Sequence, residues 1–158
     1  MTRRRGVWIA VICGTVVACA VLVAIVSLTI AVPRLQTAKR AAMETGAIAS
    51  IRALHFAQVQ YNSQYGRFAN TLGELGAPAS GDPSAAAASL ISNDLASGEK
   101  DGYKLTMTGN AIGYQIVAVP IAFGVSGNRT FFSDQSMVIR ENDGPEPATA
   151  DSRELGAK

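Results

Sequence analysis

From Val7 to Val32 the sequence VWIAVICGTVVACAVLVAIVSLTIAV carries no charged residue. As a helix these 26 residues extend about 39 Å, more than the roughly 30 Å hydrocarbon core of a bilayer. A run of that length cannot be hidden in a small soluble core, so it divides the chain before any other feature does. The polar side chains within it are Thr15, Ser27 and Thr29, whose hydroxyls can bond back to the preceding helical turn. Arg3, Arg4 and Arg5 stand directly before the run. The positive-inside bias keeps them in the cytoplasm and sends the C-terminus across the membrane. Trp8 falls where an interfacial aromatic anchor is expected. A cleaved signal peptide shares the basic start, but its apolar core spans only about 7–15 residues. No convincing small-x-small cleavage site follows the run before Pro33. The sequence therefore predicts a basic cytoplasmic segment over 1–6 and a retained transmembrane helix over 7–32.

Of the 158 residues, at most about 130 remain outside lipid, enough for one compact domain. A net charge of +2 with no basic stripe beyond Arg3–Arg5 gives no electrostatic footprint for nucleic acid. Aromatic residues at 6% supply no base-stacking platform. Both cysteines, Cys13 and Cys19, lie in the apolar run. The domain is thus expected to fold without a disulfide, and the pair reads as small lipid-compatible side chains.

Beyond Pro33 the pattern becomes amphipathic. Ala47, Ile51, Leu54 and Tyr61 recur at spacings of 4, 3 and 7, with Ile48 and Val59 widening the stripe. Arg34, Lys39, Arg40, Glu44 and Arg52 are expected off it. This predicts a helix of about 30 residues with one face to bury, the alanine-rich stretch 38–53 favouring it and Gly46 weakening it. Pro33 either kinks the junction or separates two helices. Gly66 suits a left-handed C-terminal cap. Leu72 and Leu75 are expected to pack a short turn onto the helix, and the segment from Pro78 to Pro83 reads as surface loop. A second helix is expected from Ser84 to about Ser97, burying Leu90, Ile91 and Leu95 and ended by Gly98. Tyr103, Leu105 and Met107 then alternate with Lys104, Thr106 and Thr108, a half-buried strand. Gly109-Asn110 turns into a second strand over Tyr114–Val119. In the loop from Pro120 to Asn128, Ile121, Phe123 and Val125 are expected to fold back onto the core. Thr130–Ser133 and Ser136–Arg140 predict another hairpin. Residues 143–158 read as a flexible polar tail. Helices followed by antiparallel hairpins place the domain, residues 33–142, in the α+β class, with the helix laid across a small antiparallel sheet.

Signals for bond-making chemistry are poor, and the expectation is a protein that is not an enzyme and holds no cofactor. Gly124-Val-Ser-Gly-Asn lacks the second glycine of a nucleophile elbow. His55, the one histidine, sits mid-helix and reads as a residue at the edge of the packed stripe, with pH sensing as its sharper alternative. Zinc needs more His and Cys than the domain holds. Asp143, Glu146 and Asp151 could offer carboxylates to calcium, but Pro145 and Pro147 suit an open tail. Asn128-Arg-Thr130 fits a glycosylation sequon. Gly14 with Ala18, and Ala20 with Ala24, form small-xxx-small pairs that let a neighbouring helix approach closely.

The order of these features resembles the type IV pilin and pseudopilin family. The resemblance runs over about residues 7–142. An apolar helix passes through Pro33 into Arg34-Leu-Gln-Thr-Ala-Lys-Arg-Ala-Ala-Met-Glu-Thr-Gly-Ala-Ile, then Ala57-Gln-Val-Gln-Tyr61 and Tyr65-Gly-Arg-Phe68. Leu90 to Gly98, Gly102-Tyr103 and Phe131 to Arg140 are similar to the later part of small pilin-like proteins. Gly6 follows three arginines as a leader glycine would, yet Val7-Trp-Ile-Ala-Val11 stands where the family has Phe-Thr-Leu-Ile-Glu, and the apolar run holds no glutamate. The resemblance implies a pilin-like fold. It also implies a non-enzymatic, membrane-anchored structural or assembly subunit of a bacterial envelope pilus or secretion-type apparatus. Its partners would be the lipid bilayer and like subunits or other secretion components. The departures imply a subunit that stays in the inner membrane, N-terminus inside and domain periplasmic or extracellular. Helix packing would then use Gly14, Ala18, Ala20 and Ala24, with Arg34, Lys39, Arg40 and Glu44 at the junction. A standalone membrane-anchored binding or sensory domain with a pilin-like fold is the alternative from a different class.

Overall fold

The computed structural model describes residues 34–157 in full and residues 2–33 as helical backbone alone. Helix α1 spans Thr2–Tyr65. The chain divides into two units, Met1–Ala38 and Lys39–Lys158. In the second unit α1 is followed by two single-turn helices, α2 (Leu72–Leu75) and α3 (Asn93–Ala96). Six strands come next: β1 (Glu99–Lys100), β2 (Tyr103–Gly109), β3 (Tyr114–Pro120), β4 (Thr130–Asp134), β5 (Arg140–Asn142) and β6 (Arg153–Glu154). They form one antiparallel sheet in sequence order, each strand paired with the next. The domain is α+β, a helix packed on an antiparallel sheet.

The helical stripe is where its spacing puts it: Ala47, Ile51, Leu54 and Tyr61 are fully buried. They meet the inward side chains of the sheet, Tyr103, Leu105 and Met107 from β2 and Tyr114, Ile116 and Ala118 from β3, together with Phe131. Lys104, Thr106 and Thr108 point to solvent, so β2 has the alternation of a one-face-buried strand. Gly66, at φ +69, closes the helix, and its N–H donates to Asn62 O at 2.8 Å. Leu72 and Leu75 are buried on α2, capped by Thr71, whose hydroxyl accepts from the Glu74 N–H.

Several sequence expectations give way to tertiary structure. The helix expected over Ser84–Ser97 shrinks to α3. Instead, Ser84 and Ala87 bond to each other in both directions, while the Ala88 N–H donates to Glu74 O, that of Ser89 to Gly76 O and that of Leu90 to Leu75 O, so residues 88–90 spend their donors on α2 and the residue that follows it rather than on a helix of their own. Val59, expected to widen the buried stripe, is exposed. Ile121, Phe123 and Val125, expected to fold inward, stand outward. Strand β1 goes beyond the sequence expectation, although its signal is present: Asp101-Gly102 supplies both positive φ values, 51° and 75°, of a two-residue hairpin turn. The segment 143–158, expected as a flexible tail, returns to the sheet. Arg153 pairs with Glu141 across β5–β6, Ala148 is buried and Leu155 packs against the core.

Gly127 marks the tightest approach, because a Cβ there would run into the Tyr103 hydroxyl. That hydroxyl is fixed, donating to Arg129 O at 2.8 Å from a fully buried ring. Gly127→Ala is expected to cost about 1–3 kcal/mol as overpacking, read as a lower midpoint in chemical denaturation. Val59→Ala, on the exposed side, should stay within about 0.5 kcal/mol of the parent.

Candidate functional site

Of the residues expected at a helix-packing interface, Gly14, Ala18, Ala20 and Ala24 are described as backbone alone, as is the whole apolar run from Val7 to Val32, so their packing lies outside the described residues. Among the described residues no helix is long and apolar enough to cross a membrane. Arg34 and Lys39 are exposed and Arg40 is half-buried. Glu44 departs from expectation. Placed off the buried stripe by its charge, it is only 7% exposed, because the fold brings a matching cation to it.

That cation is Arg129, in the segment leading into β4. Its Nε and Nη2 donate to Glu44 Oε2 at 2.9 and 2.7 Å, while the Asn128 backbone N–H donates to Glu44 Oε1 at 2.8 Å. The remaining arm of the fork, Nη1, donates to Glu141 Oε2 at 2.6 Å. Arg153 Nη2 then donates to Glu141 Oε1 at 2.7 Å and to Asp143 Oδ2 at 3.0 Å. One planar guanidinium thus ties α1 to β5, and Glu141 carries the tie on to β6. Burial works against the Arg129 charge, but the two carboxylates outweigh it and hold the guanidinium pKa above its ordinary value. A buried carboxylate is tolerable only when its desolvation is offset by such charge-assisted bonds.

His55 forms a second polar tie in the middle of the helix and is buried rather than at the stripe's edge. Its Nδ1 lies 2.8 Å from the Tyr114 hydroxyl and its Nε2 2.9 Å from Ser133 Oγ. Ser133 Oγ donates its single proton to Val138 O at 2.8 Å, so it must accept from the imidazole. Nε2 therefore carries the hydrogen, Nδ1 is the acceptor, and the Tyr114 O–H donates to it. Burial lowers the His55 pKa against the opposing pull of Asp134, and burial with Asp134 pushes Tyr114 up to about 12. A serine nucleophile would need to hand its proton to the imidazole. Here the proton points away, into the Val138 carbonyl of the β4–β5 connection, and Ser133 is fully buried.

Further along, Gln58 bonds both ways to Ala69: Nε2 donates to Ala69 O at 3.0 Å, and Oε1 accepts the Ala69 N–H at 2.9 Å. The periodicity of apolar residues could not reveal Gln58 or Glu44, whose partners are remote in sequence. Against this same helix a shallow groove of about 320 Å³ opens, lined by Ala49, Ser50 and Ala53 on one side and Leu90, Ile91 and Asp101 on the other. The acidic residues weighed for calcium are not gathered: Asp143 is engaged by Arg153. Among the described residues no group of three or more His, Cys, Asp or Glu is placed to hold a metal ion. In the sequon, the Thr130 hydroxyl is buried and donates to Glu146 O at 2.7 Å. No known family model matches the chain, and neither curated proteins nor solved structures yield a match.

Two measurements follow from these ties. Glu44→Gln should lower unfolding free energy by about 3 kcal/mol, since it leaves Arg129 half-matched. In a double-mutant cycle with Arg129→Met the two losses should be clearly non-additive. For His55, folding favours the neutral ring, so its contribution is complete above the ordinary pKa of 6.5 and is lost as pH falls through the lower folded value. Stability should therefore drop on going from about pH 7.5 to 5.5, at most by about 1.4 kcal/mol per pH unit for one proton. His55→Gln should flatten that dependence in pH-resolved denaturation.

Proposed function

We propose that the chain is a non-enzymatic, pilin-like structural subunit, anchored in a bacterial inner membrane by residues 7–32 and acting through helix–helix packing in a pilus or secretion-type assembly. The observation that carries this reading is the outward face of α1. Nine residues after the buried Ala47, at about 100° per residue, the helix presents Phe56 on the opposite side, and Phe56 is 77% exposed. Val59 is exposed beside it, and Ala53 and Ala49 stand uncovered one and two turns earlier. A helix serving only its own domain places charged and polar residues there. This one sets an aromatic ring, a valine and an Ala-xxx-Ala pair among the exposed Arg52 and Gln60, and such a mix of large and small apolar groups is the kind of surface on which a second helix seats closely. The run Val7–Val32, free of charge, supports the anchor, and the α+β order of the domain supports the pilin-like reading.

Cysteine crosslinking in native membranes tests it. With Cys13 and Cys19 replaced by alanine, Phe56→Cys and Ala53→Cys should each give a ladder of crosslinked species on oxidation, whereas Lys104→Cys on the sheet's open face should not. A strictly monomeric pattern from both helix positions would leave the anchored binding domain as the better reading. N-terminal sequencing of the native protein adds the fate of the leader: a start at Val7 means processing after Gly6, and a start at Met1 or Thr2 means a retained anchor.

A further inference from the structure

The connection between β3 and β4 turns three large apolar side chains to solvent: Ile121 is 58% exposed, Phe123 44% and Val125 70%. This is not loose chain. The Ala122 N–H donates to Ser126 Oγ, which donates back to Ala122 O, both at 3.1 Å. The N–H groups of Val125 and Ser126 also reach Ala122 O, and that of Gly124 reaches Gly127 O at 2.8 Å. Ser126 is buried at the centre of this knot, which leaves the alternate residues 121, 123 and 125 no inward direction. The loop is an apolar protrusion built by its own backbone, and between Pro120 and Asn128 it holds no charged residue.

Its place in the domain is fixed by the contacts at its two ends. The Ile121 N–H donates to Gly102 O, and a Cβ on Gly102 would lie 3.1 Å from Met43 Sδ. The Asn128 N–H bonds to Glu44. The loop therefore sits at the end of the domain where α1 enters it. The opposite end is marked by the Gly109 N–H on Asn70 O and by Phe68 against Tyr114, and there the turn carrying Ile112 projects. Lys39 stands seven positions beyond Val32, so even fully extended chain keeps the entry of α1 within about 25 Å of the apolar run.

Taking the anchored reading above as given, we propose that Ile121, Phe123 and Val125 form a lipid-contacting foot that dips into the interface of the same bilayer holding residues 7–32. An uncharged, pre-ordered loop with one aromatic and two aliphatic tips loses little conformational freedom on entering the headgroup boundary, and its apolar area is what that boundary takes up. The contact adds a second point of attachment to the bilayer.

The test uses the full chain with Trp8→Phe and Phe123→Trp, reconstituted into vesicles of phosphatidylethanolamine and phosphatidylglycerol with or without brominated acyl chains. The foot predicts blue-shifted emission from the indole introduced at position 123, quenched most by bromines near the headgroup. A parallel Ile112→Trp variant at the far end should emit as in water and escape quenching. Solvent-like, unquenched emission from position 123 in protein that floats with the vesicles overturns the foot and leaves the anchor standing. A blue shift without quenching means that a protein surface, such as a second copy, covers the loop, and also overturns it. Failure to float at all removes the anchor and the foot together.

Discussion

A carboxylate buried on a helix is stable only where a cation is delivered to it, and Glu44 receives one from the segment leading into β4. That requirement joins the two parts of the fold. Arg129 can reach Glu44 Oε2 with two nitrogens only if β4 lies at one height along the helix. The third nitrogen, bound to Glu141, demands that β5 lie beside it. The apolar stripe would tolerate a helix slid along the sheet by a turn, since Ala47, Ile51 and Leu54 repeat at turn-like spacing. The polar partners would not. Glu44, His55 and Gln58 each have a matched group at one place only, and a slip would bury all three without partners at a cost of about 1–3 kcal/mol or more apiece. Hydrophobic burial drives the helix onto the sheet, and the polar ties select its register.

This division explains what could be read from the chain in advance. Ala47, Ile51, Leu54 and Tyr61 were visible because burial of apolar groups leaves a period in the sequence. So was the alternation of β2, whose partner β3 is local. Glu44 and Arg129 were not, because a charge is written the same way whether it is solvated or matched by a residue 85 positions on. Helix propensity misled over Ser84–Ser97, where α2 and Gly76 take the N–H groups of Ala88, Ser89 and Leu90. Polar composition misled after Asn142, where Arg153 and Leu155 have partners that only the folded sheet supplies. Of the interface residues, the sequence marked Lys39 and Arg40 for the helix surface but could not separate them from Glu44. It also missed Phe56, because an exposed aromatic on a helix differs from a buried one only by the angle it makes with its neighbours.

The two surfaces that remain apolar cannot be put down to an ill-packed domain. Among the described residues no buried side-chain nitrogen or oxygen lacks a hydrogen-bond partner, and a fold that satisfies Gln58 from both of its amide atoms does not leave Phe56 outside for want of room. Nor do the surfaces share a chemistry. The helix face mixes Phe56 and Val59 with alanines and Arg52, a relief of large and small side chains. In the β3–β4 loop the residues between the three tips, Ala122 and Gly124, have their backbones bonded into the knot around Ser126, so the loop offers protruding side chains. Shape-selective packing suits the first and a fluid apolar phase suits the second. Their positions in the domain divide the same way, since the loop caps the end where α1 enters while Phe56 and Val59 stand exposed on the helix flank, further along.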